Sequence, residues 1–263
     1  MPGRRVRTRS AQALAVLFTL VCWTALFGLS DLADGLTGFV DDGRNTALDV
    51  GWGILFGVVV PVGLLAQLRS ASRAAGVHVL TVAGISLVLS GAAGEAHGYL
   101  VLGAATLALA ALFVTLGRIG AAVLHRQGPV SRAFLLLALA AAVPAVVYAA
   151  TMSSNARRQL PPADAVSLGI PHWPALAAFA STVVLLAVAA GLGLSGRLLL
   201  AGLAGVAAAL WGASCLLYPD VAGSEGRAWA AAAIAWGVVI LATAALERQR
   251  SRVAAPPALN PAA

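Results

Sequence analysis

The sequence predicts an all-α integral membrane protein: a polytopic bundle of eight transmembrane helices with both termini in the cytoplasm. Composition is the first reason. Hydrophobic residues make up 60% of the 263 residues, charged residues only 10%, and the mean hydropathy is +0.90. An average soluble domain carries about 25% charged residues. The second reason is that apolar runs of about 20 residues, the length that crosses a bilayer, recur along the chain.

Eight such runs follow from hydropathy. They cover residues 11–30, 50–68, 77–94, 99–117, 133–152, 175–193, 198–218 and 228–246. The third run is the shortest, so seven helices is the main alternative count. The first run is longer than the 7 to 15 residue core of a signal peptide, and no A-x-A-like cleavage site follows it before Asp31, which favours a retained helix.

Three regions follow from these runs. Residues 1–10 form a basic cytoplasmic tail, residues 11–246 form the membrane domain, and residues 247–263 form a second cytoplasmic tail. The second tail is basic at first and then rich in proline and alanine, a composition typical of disorder.

The arginines provide an independent test of the count. All 17 basic residues are arginines. With eight helices and cytoplasmic termini, thirteen fall on the cytoplasmic side and four on the outer side, in agreement with the positive-inside rule. Nine of the ten acids fall on the outer side. The arginine bias suggests a bacterial cytoplasmic membrane, and no basic patch interleaved with aromatic residues indicates nucleic-acid binding.

Similar residues recur in the two halves of the chain. Glu95, Tyr99 and Arg118 are followed 130 positions later by Glu225, Trp229 and Arg248. This spacing suggests a parallel internal repeat of four plus four helices, since an even number of helices restores the orientation. Pro61 and Pro144 lie near mid-span and predict kinks. The spacing of Ala201, Gly205 and Ala209 predicts close helix packing.

No Asp, Glu, Arg or Lys lies inside the eight runs, although ion-coupled transporters usually keep such a residue near the midplane. The chain also carries no catalytic motif, and we predict no catalytic residue. The histidines at 78 and 125 and those at 97 and 172 would form two nominal haem pairs. They are placed at the membrane edges, which disfavours haem, and the sequence leaves any other cofactor open.

The candidate ligand site lies in the polar break at residues 153–174 and the neighbouring hairpin turn, at the outer rim. Its candidate residues are Arg157, Arg158, Asp164, His172, Trp173, Glu95 and His97. Paired guanidinium groups beside helix ends would hold an anion such as a lipid phosphate or a carboxylate. The alternative is that these arginines balance the local acids.

Glu95, His97 and His172 are also candidate metal ligands, since carboxylate and imidazole groups bind zinc, copper and iron. The alternative is that each histidine is an interfacial residue bonded to a loop carbonyl.

Three functions remain open at this point. The first is a permease-like or binding membrane protein with a small anionic or lipid-like ligand at the outer rim. The second is a membrane metalloprotein or enzyme that uses Glu95, His97 and His172. The third is a non-catalytic subunit that binds another helical membrane protein through faces of small residues.

Overall fold

The computed structural model of the chain describes residues 2–38, 45–126, 128–161, 166–167 and 169–253. Within these residues seven helices are long and apolar enough to cross a membrane, and the count is eight if one bent pair forms a single span. We number the spans in chain order, with the bent pair as the first. The others are Thr46–Leu68, Ser70–Gly94, His97–Gly117, Arg132–Arg157, Trp173–Gly191, Arg197–Leu217 and Gly226–Arg250.

These helices confirm the all-helical architecture, and their lengths and composition are compatible with a multi-pass membrane protein. Shorter elements connect them. A 3-10 turn at Ser70–Ser72 precedes the helix Arg73–Gly94, a short helix Gly120–Leu124 follows the fourth span, and strands Val166–Ser167 and Ile170–Pro171 pair before the sixth. The last helix continues to Val253, beyond the run seen in the sequence, and residues 254–263 lie outside the described part.

The first span differs from the single helix expected over residues 11–30. A helix from Pro2 to Trp23 ends at a turn in which Phe27 has a positive φ of 56°, and a second helix, Gly28–Thr37, follows at an angle of 40°. The expected tail is therefore helical from Pro2, and Asp31 and Asp34, expected in a loop, are helical. A hydropathy profile does not indicate this break, because apolar residues continue through it.

Close backbone contact holds the short helix Gly28–Thr37 against the second span. A Cβ atom on Gly28 would lie 2.4 Å from the carbonyl carbon of Phe56, and one on Gly53 would lie 2.3 Å from the nitrogen of Leu32. Side chains do not fit at such distances, so the two helices meet through glycines, as small residues permit in membrane proteins.

The second span is irregular where proline predicts it. A π-helical segment, Ile54–Val59, immediately precedes the helix Val60–Leu65 that contains Pro61. Proline has no N–H group, so the carbonyl of Gly57, four residues earlier, loses its helical donor. The indole N–H of Trp23 in the first span donates to this oxygen at 2.9 Å. The lost helical bond is thereby replaced by a bond between spans.

The spans form an inner and an outer group. Between 61% and 83% of the residues in the apolar windows of the second, third, sixth and seventh spans are buried, against 17% to 22% in the fourth, fifth and eighth. The third apolar run, the shortest in the sequence, is thus part of the 25-residue inner span Ser70–Gly94. Whether the count is seven or eight depends instead on the first span.

Glycines pack each outer helix of a hairpin onto its inner neighbour. Gly84 and Gly103 join the third and fourth spans, and a Cβ on Gly103 would lie 2.8 Å from the nitrogen of Val88. Gly205 and Gly237 join the seventh and eighth spans, each facing the other's carbonyl oxygen. This confirms the close packing predicted for the seventh helix.

The inner spans hold the second and third places in each half of the chain, as a four-plus-four repeat would require. Trp173, Gly205 and Gly212 also follow Trp52, Gly84 and Gly91 by the same 121 positions. These agreements support the repeat, which stays a prediction, as does the orientation in the membrane. We call the end that carries Glu95, His172 and Glu225 the predicted outer end.

At the opposite end, Glu247 is the acid that the arginine count places inside. Its carboxylate accepts a hydrogen bond from the Ser131 hydroxyl and lies 3.3 Å from Nη2 of Arg197. One carboxylate therefore joins the fifth, seventh and eighth spans at this end.

Candidate functional site

His172 is the most deeply buried of the four histidines, with 2% of its surface exposed. It is the residue before the sixth span and follows the strand Ile170–Pro171. Its Nδ1 lies 2.8 Å from Oδ1 of Asp49, and its Nε2 lies 3.9 Å from Oδ2 of Asp31. An ionised carboxylate only accepts hydrogen bonds, so Nδ1 donates to Asp49.

Aromatic residues fix the plane of this imidazole. The ring of Trp52 stacks on it with centroids 5.2 Å apart and an interplanar angle of 17°. The Trp52 indole N–H donates to the carbonyl of Leu26 at 2.6 Å, and the Tyr99 hydroxyl donates to the carbonyl of Pro171 at 2.7 Å. We call Asp31, Asp49, His172 and Trp52 the outer cluster.

The outer cluster connects the two halves of the chain. Asp31 belongs to the short helix, Asp49 and Trp52 belong to the second span, and His172 begins the sixth. Among the residues that the structure describes, no three His, Cys, Asp or Glu side chains are arranged to hold a metal ion.

The other predicted site residues are not part of the outer cluster. Trp173 is buried and its indole N–H donates to the carbonyl of Leu160 at 2.9 Å. Arg157 and Arg158 are exposed, and the guanidinium of Arg157 donates to the carbonyl of Ala93 at the end of the third span. Asp164 lies outside the described residues. The binding of an anion by the two arginines stays a prediction.

Glu95 and His97 are exposed at the turn between the third and fourth spans, and with His172 they form no metal-binding group. The helix period explains the position of His97. Tyr99 is fully buried, and residues two apart on an α-helix point about 200° apart, so His97 faces away from the bundle.

The carboxylates that His172 meets, those of Asp49 and Asp31, are not among the site residues predicted from the sequence. One feature of the sequence indicates the outer cluster: Asp49 and Trp52 are three residues apart, which places both side chains on one face of a helix.

A second feature, the lateral cavity, lies between the fifth, sixth, seventh and eighth spans, with a volume of about 220 Å³. Alanines form much of its wall, and Pro144 lines it in the fifth span. The wall also contains the carboxyl of Glu225 and the aromatic rings of Tyr148, Phe179, Trp211, Trp229 and Trp236. Sequence reasoning missed this cavity, because small residues spread over four helices give no local pattern.

Polar groups of the cavity wall gather at its predicted outer end. The Tyr148 hydroxyl donates to the carbonyl of Gly223 at 2.6 Å, and its ring meets that of Trp211 edge to face, with centroids 5.3 Å apart. The indole N–H of Trp211 is buried and has no hydrogen-bond partner among the described residues. Glu225 lies in the loop before the eighth span, and partial burial raises the pKa of its carboxyl above the ordinary value.

No known protein family, curated protein or solved structure matches this chain.

Proposed function

We propose that this protein is a permease-like or binding membrane protein that takes a small, mostly apolar molecule into the lateral cavity. The cavity itself is the observation that carries the proposal. Its volume of about 220 Å³ exceeds the ~150 Å³ of an engineered cavity that binds benzene. It therefore has room for a ring or a short branched chain.

The position of the cavity supports entry from the lipid. The fifth and eighth spans belong to the outer group, and Trp229, which lines the cavity, has 52% of its surface exposed. Tryptophan favours the interface between hydrocarbon and water, where its ring is in an apolar region and its N–H reaches polar groups. A molecule dissolved in the outer leaflet would meet the cavity at this point.

The polar groups favour a ligand with a polar end over a plain lipid chain. Apolar packing alone does not require the Glu225 carboxyl in the wall. Ligand pockets commonly combine apolar walls with a few polar groups that set the orientation of the ligand.

Two probes of the same shape test the proposal: (4-bromobenzyl)trimethylammonium and its uncharged carbon isostere, 1-bromo-4-neopentylbenzene. Because bromine quenches tryptophan fluorescence at short range, binding beside Trp211, Trp229 and Trp236 is read directly from the emission of the purified full-length protein in lipid nanodiscs. We expect saturable quenching by at least one probe.

Cavity-filling variants provide the specificity control. Ala141→Phe and Ala233→Phe place a ring in the cavity from the fifth and eighth spans, and each should abolish the saturable quenching. Ala150→Phe, at an exposed position on the same helix as Ala141, should leave it unchanged. Thermal unfolding of each variant establishes that it is folded. Failure of both probes to saturate, or equal loss in Ala150→Phe, would contradict the proposal.

A further inference from the structure

We propose that the ligand of the lateral cavity is a small lipophilic cation, with its charged group held between the Glu225 carboxylate and the surrounding aromatic rings. This inference rests on the proposed function and assigns the chemical class of its ligand. Charge, ring geometry and size each support it.

The charge of the cavity is negative. Among the lining residues that the structure describes, Glu225 is the one charged side chain, and the Tyr148 phenol is the one other ionisable group. Arg227 is exposed and does not line the cavity. In an apolar wall beside lipid, the effective dielectric constant is well below that of water, so a carboxylate attracts a cation strongly and repels an anion. The cavity therefore favours a cationic ligand over an anionic one.

The aromatic rings favour the same charge. Trp211 meets Tyr148 edge to face at 5.3 Å and lies 6.0 Å from Phe179 at an angle of 34°, while Trp229 and Trp236 complete the wall from the eighth span. The face of an aromatic ring attracts a cation by about 0.5–2 kcal/mol, most strongly when water is excluded, and indole is the best of the rings. Sites for quaternary ammonium groups combine several such faces.

Size limits the rest of the molecule. A cavity of about 220 Å³ accommodates one ring or a short chain beside a small ammonium group and excludes a lipid with two full acyl chains. The apolar part would lie among the alanines of the fifth and eighth spans. The cationic part would lie at the predicted outer end, where Glu225 meets the aqueous boundary.

The two isosteric probes isolate the charge, because they differ only in a quaternary nitrogen or carbon. We expect the cation to bind at least about tenfold more tightly than the hydrocarbon, as for a cation attracted by a carboxylate and aromatic rings that are partly shielded from water. Glu225→Gln should remove this preference. Asp220→Asn, which changes an exposed carboxylate of the same loop that does not line the cavity, should retain it.

The pH dependence gives a second measurement. Because burial raises the pKa of Glu225 above its usual 4.5, the carboxylate takes up a proton as the pH falls, at a pH higher than for an exposed glutamate. Affinity for the permanently charged probe should therefore fall with pH in this range and should not do so in Glu225→Gln. Tyr148 and Cys215 from the neighbouring spans do not change charge between about pH 4 and 7 at their ordinary pKa values.

The outcomes separate the inference from the proposed function. Equal binding of both probes, or a cation preference that survives Glu225→Gln, overturns the cationic ligand but leaves the cavity as a binding site. Failure of both probes overturns both. A cation preference that disappears in Glu225→Gln, persists in Asp220→Asn and weakens at low pH establishes the inference.

Discussion

Identical residue types at the predicted outer end have different surroundings. His97 is exposed, whereas His172 is buried beside Asp49 and stacked on Trp52. Burial of an imidazole is unfavourable unless its nitrogen atoms are hydrogen-bonded. The carboxylate and the indole ring provide a polar partner and an apolar one, so His172 stabilises the contact between the two halves of the chain.

Substitution of His172 should be costly. We expect His172→Leu to lower the free energy of unfolding by about 1–3 kcal/mol, because the buried Asp49 carboxylate loses a hydrogen bond that an apolar side chain cannot replace. His97→Leu is the matched control and should change stability by no more than about 0.5 kcal/mol. Thermal unfolding of the purified variants in detergent measures both. Equal effects would show that the outer cluster does not stabilise the fold.

At the scale of helices, glycine positions decide how closely the spans approach. Gly205 and Gly202 lie on the same helix, three residues apart. A Cβ atom on Gly205 would lie 2.8 Å from the carbonyl oxygen of Gly237, whereas one on Gly202 would meet nothing within 4 Å. The two glycines have the same hydropathy, and they differ only in their contact with the eighth span.

Alanine at these two positions should therefore act in opposite directions. We expect Gly205→Ala to destabilise the protein by about 1–3 kcal/mol, since the backbones of the seventh and eighth spans would have to separate. Gly202→Ala should be neutral or stabilising by up to about 1 kcal/mol, because alanine loses less conformational freedom in a helix. Thermal unfolding measures both changes. A stable Gly205→Ala would mean that the two spans are not in backbone contact.

At the scale of the whole molecule, the positive-inside rule gives an orientation that the helices alone do not. It places the turn at Glu95 and the outer cluster on the extracytoplasmic side, and the short helix Gly120–Leu124 on the cytoplasmic side. The lateral cavity would then open towards the outer leaflet, which determines where its ligand comes from.

Cysteine labelling tests this orientation. The native Cys22 and Cys215 are buried, so single new cysteines can be read against a low background. We expect Glu95→Cys to react with a membrane-impermeant maleimide on intact cells. Leu124→Cys, at a position 86% exposed, should react only after lysis. The reverse pattern would invert the molecule and place the cavity opening in the inner leaflet.

Much of the architecture could be predicted because it depends on local composition. Seven of the eight apolar runs are single membrane-length helices, and the irregularity near Pro61 follows from its missing N–H. The break before Gly28 could not be predicted, since it depends on backbone contact with Phe56 and Gly57, residues of another span. The contact of His172 with Asp31 and Asp49 could not be predicted either, since the three residues come from separate segments of the chain.

The sequence by itself determined that the chain has seven or eight apolar segments long enough to cross a bilayer. It did so because the transfer of charged groups into hydrocarbon is unfavourable at every position. Only the tertiary structure decided that His172 meets Asp49, that His97 faces outward, and that alanines of four spans leave a cavity beside Glu225. Those outcomes depend on distances between segments far apart in the chain, which hydropathy and spacing do not contain.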